Sequence, residues 1–194
     1  ITAAAAVQEQ ALPLDERLSV PWTMRVGEFT IHDSHPHGLM RMMLGDVIAE
    51  SSNIGAVQVA NRVGARDMFD YLWRFGLGHE TGIGFPGEAA GLTLPLTQWT
   101  DTTLATSAYG QGLAATPLQM VSVYATIAND GRWVQPRLVQ ATVDEDGERH
   151  ARAPSPSRRV ISAASADMVN RMLAYAVEYG TGTNAQIAGY QVAG

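Results

Sequence analysis

Ser51-Ser52-Asn53 sets hydroxyls and an amide between two segments of helical periodicity, where rigid backbone can hold them toward a cleft. Ser and Asn are also strongly preferred helix N-caps, so the tripeptide alone is read more simply as a cap. Tyr109 and Gln111 flank Gly110 in a glycine-rich stretch, where backbone can approach a ligand closely. Packing in a core or loop accounts for Tyr109 equally well. His35-Pro36-His37 lacks a third clustered ligand, so exposed loop histidines are expected rather than a metal site. Glu80, Glu88 and Asp101 show no sign of a shared site and read as solvated charges. No metal and no cofactor is expected. All thirteen basic residues are Arg, so a mechanism that needs a neutral amine base must take it from outside these residues.

The elements that must position these groups follow from periodicity and caps. Ile1 to Gln10 is an Ala-rich helical run without its own cap, and Ala11 to Pro36 reads as irregular chain with a small hairpin near Glu28 to Ile31. Apolar residues from Leu39 to Glu50, Met40 and Met43 among them, recur at helical spacing and predict one or two short helices, with the Met40, Met42 and Met43 cluster filling core. Asn53 to Val63 predicts a buried helix closed by Gly64 in the αL conformation, and Ala65 to Phe75 a second helix closed by Gly76. Six of the nineteen glycines fall in the surface connection from Gly76 to Thr100.

Thr116-Pro117-Leu118-Gln119 carries a cap, a proline at the first helical position and a Gln three residues on, which predicts a helix to Ala128. Trp133 to Val143 and Glu148 to Ala151 form a hairpin across Asp144-Glu145-Asp146-Gly147 in this reading. Arg152 to Arg159 reads as loop, Ser162 caps a helix to Tyr179, Gly180-Thr181-Gly182 ends it, and Gln191 to Gly194 begins a strand. A composition of 46% hydrophobic and 16% charged residues fits one domain or most of one. A net charge of −6 without a basic run argues against a nucleic-acid partner. The absence of cysteine excludes disulfides and thiolate metal sites. No apolar stretch reaches the roughly 18 to 20 residues that span a bilayer, and Ile1 to Val7 has neither the basic flank nor the length of a signal peptide.

Glu50-Ser51-Ser52-Asn53-Ile54-Gly55 resembles the second motif, Ser-x-Asn, of the serine penicillin-binding proteins, whose set is completed by Ser-x-x-Lys and Lys-Thr-Gly. Gly82-Ile83-Gly84-Phe85-Pro86-Gly87-Glu88 resembles the class B, division-type branch of that family. So do Tyr109-Gly110-Gln111-Gly112 through Met120, and Gly180-Thr181-Gly182 with Gly189 to Gly194. Order and spacing agree over nearly the whole chain. The resemblance implies an α/β (α+β) fold of the penicillin-binding and serine β-lactamase type, an antiparallel sheet flanked by helices and incomplete here. Residues 1–194 would be the central part of one transpeptidase domain: a helical part with Ser-x-Asn to about 130, a hairpin at about 132–152, and a helix with a strand start at about 160–194. Ser-x-x-Lys would lie just upstream of Ile1 and Lys-Thr-Gly just past Gly194, which implies that the 194 residues alone neither fold cooperatively nor bind penicillin.

The function so implied is that of a peptidoglycan D,D-transpeptidase acting through a serine acyl-enzyme. Its partners would be D-Ala-D-Ala stem peptides, β-lactam antibiotics and other division or cell-wall proteins, with no nucleic acid. Its place would be the outer face of the bacterial cytoplasmic membrane, on an N-terminal anchor outside these residues. Ser51 and Asn53 carry the catalytic roles in this reading, and Tyr109 and Gln111 substrate binding. The alternatives are a D,D-carboxypeptidase or β-lactamase, and a non-catalytic β-lactam sensor or divisome scaffold of the same fold.

Overall fold

The computed structural model describes residues 1–194 and begins with the uncapped helix that the Ala-rich start implies, α1 (Thr2–Gln8). Ala4, Ala5 and Ala6 are wholly buried, which lets neighbouring helices approach its backbone closely. Four strands follow: β1 (Leu18–Val20), β2 (Thr23–Val26), β3 (Phe29–His32) and β4 (Met40–Met42). β2 and β3 form the small hairpin expected near Glu28, turning on Gly27 and Glu28, and β1 pairs antiparallel with β4. Met40 to Met42 is therefore strand, not helix. Along β1 and β4 the inward positions alternate, Leu18 and Val20 opposite Met42 and Met40, so the residue period that decides the backbone here is two.

Helical spacing holds from Leu44. α2 (Leu44–Ala49), α3 (Asn53–Val63) and α4 (Ala65–Arg74) follow one another almost without connection. α3 is the hub, burying Ile54, Val57, Val59, Ala60 and Val63 against α1, α2, α4 and a fifth helix, α5 (Asp101–Ala108). Fully buried side chains such as Ile54, Met68 and Phe75 are each worth about 1.5–3 kcal/mol relative to exposure. Gly64 joins α3 to α4 at φ 88°, ψ 157°, so it is not the αL cap expected, although it is a conformation open almost only to glycine. Gly76 does close α4, through Leu77 N–H on the Leu72 carbonyl (3.0 Å) and Gly76 N–H on that of Trp73 (2.9 Å).

α5 has no counterpart in the sequence reading. Its signal is the reciprocal cap between Thr100 and Thr103, set among glycines, prolines and threonines that read as connection. α6 (Pro117–Ala128) begins where expected: Thr116 Oγ1 accepts from Gln119 N–H (3.1 Å) and Gln119 Oε1 from Thr116 N–H (2.8 Å). The buried Gln119 amide also donates to the carbonyls of His79 (2.8 Å) and Ala90 (2.9 Å), fastening the glycine-rich connection to the helix start.

The remaining strands are β5 (Arg132–Val134), β6 (Ala141–Val143), β7 (Arg149–Ala151) and β8 (Ser157–Arg159), followed by α7 (Ala163–Tyr179) with Ser162 as its cap. β6 and β7 form the expected hairpin, but Trp133 belongs to a different pair: β5 joins β8, in the segment read as loop. Arg158 buttresses that pairing. Its guanidinium lies 3.8 Å over the Trp133 ring and donates to the Arg74 carbonyl at 2.9 and 3.1 Å. Gln191 to Gly194 is not in a strand. The class is thus mixed α/β, with seven helices and four separate two-stranded antiparallel sheets.

Candidate active site

The Ser51–Asn53 segment is a helix-to-helix joint with no spare residue. Ser52 N–H bonds to the Val47 carbonyl (3.0 Å) and Ser51 N–H to that of Ile48 (3.1 Å), the pairing that closes a helix on a left-handed residue. That residue is Ser51, at φ 54°, where glycine is the usual occupant. Ser52, the next residue, is already the N-cap of α3, its Oγ accepting from Gly55 N–H at 2.9 Å. The middle serine is therefore the buried structural cap, while Ser51 is exposed and Asn53 half-buried. A β-carbon held in the left-handed region costs of order 1–2 kcal/mol, and strain of this kind gathers where a side chain must be aimed.

β3 and the residue after it hold the joint from the other side. Asn53 Nδ2 donates to the His32 carbonyl (3.0 Å), Ser52 Oγ donates to Asp33 Oδ2 (2.7 Å), and Ile54 N–H donates to Asp33 Oδ1 (3.0 Å). Asp33 is buried, and its Oδ2 also meets His37 Nε2 at 3.1 Å. A hydrogen bond to the Gly38 carbonyl and the nearby Asp33 carboxylate raise the His37 pKa above 6.5. His35 and His37 do not converge: His35 pairs with Ser34 Oγ. The end of α7 closes the third side. Thr181 donates to the Ala49 carbonyl through N–H (2.8 Å) and Oγ1 (3.1 Å), capping the last turn of α2.

Ser51, Ser52 and Asn53 line a mostly apolar cavity of about 290 Å3 with Tyr109, the first turn of α1 and the apolar side of α6, including Tyr124. Tyr109 follows α5 directly, is half-buried, and has its phenol pKa raised by that burial. Gln111 lies two residues on in the exposed Gly110–Gly112 loop and does not line the cavity. Glu80, Glu88 and Asp101 do not form a pair either; Glu88 instead accepts from Thr81 N–H (2.7 Å) and Oγ1 (2.5 Å) and steadies the glycine-rich connection. Asp33 carries no mark in the sequence, since the joint residues it holds lie 19 to 21 positions away.

A strained serine and an anchored asparagine thus share one cavity wall beside the start of a buried alanine helix. A profile of the penicillin binding protein transpeptidase domain matches residues 1–194, and the chain belongs to that family. It is 44% identical over 202 residues to the penicillin-binding protein PbpB of Mycobacterium tuberculosis, covering 100% of this chain and 30% of that protein. To the peptidoglycan D,D-transpeptidase FtsI of Escherichia coli it is 35% identical over 153 residues, 78% of this chain and 24% of that protein. The crystal structure of penicillin binding protein 3 from M. tuberculosis, complexed with aztreonam, superimposes with a TM-score of 0.93 at 41% identity, covering 99% of this chain and 44% of that one. The chain thus spans less than a third of the length of the relatives compared by sequence.

Proposed function

We propose that the protein carrying this chain is a division-type peptidoglycan D,D-transpeptidase, and that residues 1–194 are the central part of its transpeptidase domain. The observation that carries this reading is the shared cavity, where Ser51, Asn53 and Tyr109 meet the first turn of α1, the helix that Ser-x-x-Lys precedes in the family. The serine of that motif attacks the penultimate D-Ala carbonyl of a stem peptide, and the C–N bond to the terminal D-alanine breaks. Ser51 relays the serine proton, by way of the lysine, to the departing amine. A neighbouring stem's amine then attacks the ester, forming the cross-link and returning the serine. Asn53, with Nδ2 tied to the His32 carbonyl, offers its Oδ1 to orient substrate and lysine.

Tyr109, at the cavity wall, binds the stem peptide from the α5 side, whereas Gln111 lies outside that wall. β-Lactams acylate the same serine, in keeping with the aztreonam complex of the M. tuberculosis relative. No helix of the chain is long and apolar enough to cross a membrane. The polymer substrate puts the domain outside the cytoplasmic membrane, on an anchor elsewhere in the protein and beside other cell-wall synthesis proteins. The test is an assay of the full-length protein on D-Ala-D-Ala stem peptides. Cross-linked product is expected; free D-alanine without cross-links would make it a carboxypeptidase, and no reaction with stem or penicillin would leave a scaffold.

A further inference from the structure

We propose that Asp33 is a positioning residue for the acylation step, holding the joint that presents Ser51 and Asn53. This rests on the transpeptidase reading above. Three consecutive residues of the joint are held by the last residue of β3 and the one after it: Ser52 and Ile54 by the Asp33 carboxylate, and Asn53 by the His32 carbonyl. Both carboxylate oxygens are committed, Oδ1 to Ile54 N–H and Oδ2 to the Ser52 hydroxyl and His37 Nε2. The Ile54 N–H is one of the orphan donors of the first turn of α3, so Asp33 completes the cap that Ser52 begins. A buried charge-assisted bond to a helix start is stronger than a neutral one and fixes direction as well as distance.

Ser51 has no such hold of its own. Its side chain makes no hydrogen bond; only its backbone N–H is tied, to the Ile48 carbonyl in α2, and the direction of the side chain follows from how Ser52 beside it is fixed. Position therefore passes from Asp33 through Ser52 to Ser51, and through Ile54 and the start of α3 to Asn53. Releasing the carboxylate lets the joint relax toward ordinary backbone, and displacement of a positioning group by about 1 Å costs up to about a hundredfold in rate. The carboxylate does not face the cavity, so the effect is on geometry and not on a proton in flight.

The experiment is the time course of labelling by a fluorescent penicillin, using the full-length protein, with wild type, Asp33→Ala and Asp33→Asn side by side. Rate constant and final labelled fraction are read separately. Asp33→Ala is expected to slow the rate constant at least about tenfold with the labelled fraction at saturation unchanged. Asp33→Asn, which keeps one acceptor oxygen and the side-chain shape, is expected to fall between the two and keeps the test valid where the alanine variant does not fold. A reduced labelled fraction at wild-type rate constant would show a purely structural role and overturn the proposal, as would wild-type behaviour in both readouts. Absence of labelling in the wild type itself would instead remove the transpeptidase reading, and this inference with it.

Discussion

The Ser51–Asn53 joint is gripped from three sides, whereas the Asp144–Gly147 turn is held only by its own hairpin. Both are short polar turns with a left-handed residue: Ser51 at φ 54° and Gly147 at φ 82°. In the hairpin, Asp144 accepts from the N–H groups of Asp146 (3.1 Å) and Glu148 (2.8 Å) and meets His150 at 2.6 Å, all within β6, β7 and their turn. The joint instead draws on the last turn of α2, on the end of β3 with the residue after it, and on a residue beyond α7. Ser51 is a left-handed non-glycine residue, as Gln10 and Asp130 are, and the long-range bonds around it come on top of a local helix closure of the kind that also holds Gln10. The hairpin turn uses glycine and needs no fastening.

The largest expected effect comes from breaking the joint's most distant support. A β-carbon on Gly180 would lie 2.3 Å from the Ala49 carbonyl oxygen, so the end of α7 could not stay against the end of α2. Gly180→Ala should destabilise the full-length protein by about 1–3 kcal/mol, the usual range for a forced overlap with packed neighbours, and should slow penicillin labelling. Thermal unfolding with labelling kinetics checks both; a normal midpoint and rate would mean that the Thr181 strap does not matter. In the hairpin, a β-carbon on Gly147 meets nothing within 4 Å, so Gly147→Ala pays only for its positive φ, about 1 kcal/mol. Labelling by penicillin should be unchanged, and a slowed rate would erase the contrast between the two turns.

What is legible in sequence follows the same division. The caps of α6 and α7 can be read because their partners are three residues apart, Thr116 with Gln119 and Ser162 with Ser165. The β6–β7 hairpin can be read because its turn is local. β8 cannot, since the Arg158 side chain that buttresses it reaches Trp133 and the Arg74 carbonyl 84 residues away. Nor can β4, where two-residue alternation over three residues is hidden inside a longer helical pattern. At the site, Ser51 and Asn53 stand out through the motif they resemble, and Tyr109 through its glycine-rich surroundings. Asp33 has no local mark, because a carboxylate that binds 19 residues ahead looks like any loop aspartate.

The smallest effect expected concerns His37. Its pKa is raised in the folded protein by the Gly38 carbonyl and by Asp33, with a further contribution from Glu50. The stability it adds is therefore fully present below its unfolded value near 6.5 and fades as pH rises through the higher folded value. The difference in thermal midpoint between wild type and His37→Gln should be widest below pH 6.5 and shrink above it. A difference that grows with pH would mean that His37 is not the cation facing Asp33.

In the proposed transpeptidase, the Ser51–Asn53 joint serves acylation and is more than a cap between two helices. Asn53→Ala tests it most directly, since the half-buried Asn53 contributes one polar contact and no packed apolar group to the fold. In the full-length protein, the rate constant for labelling by a fluorescent penicillin should fall at least about tenfold while the thermal midpoint stays within about 2 °C of wild type. Labelling at the wild-type rate constant would return Ser51-Ser52-Asn53 to the role of an ordinary helix cap.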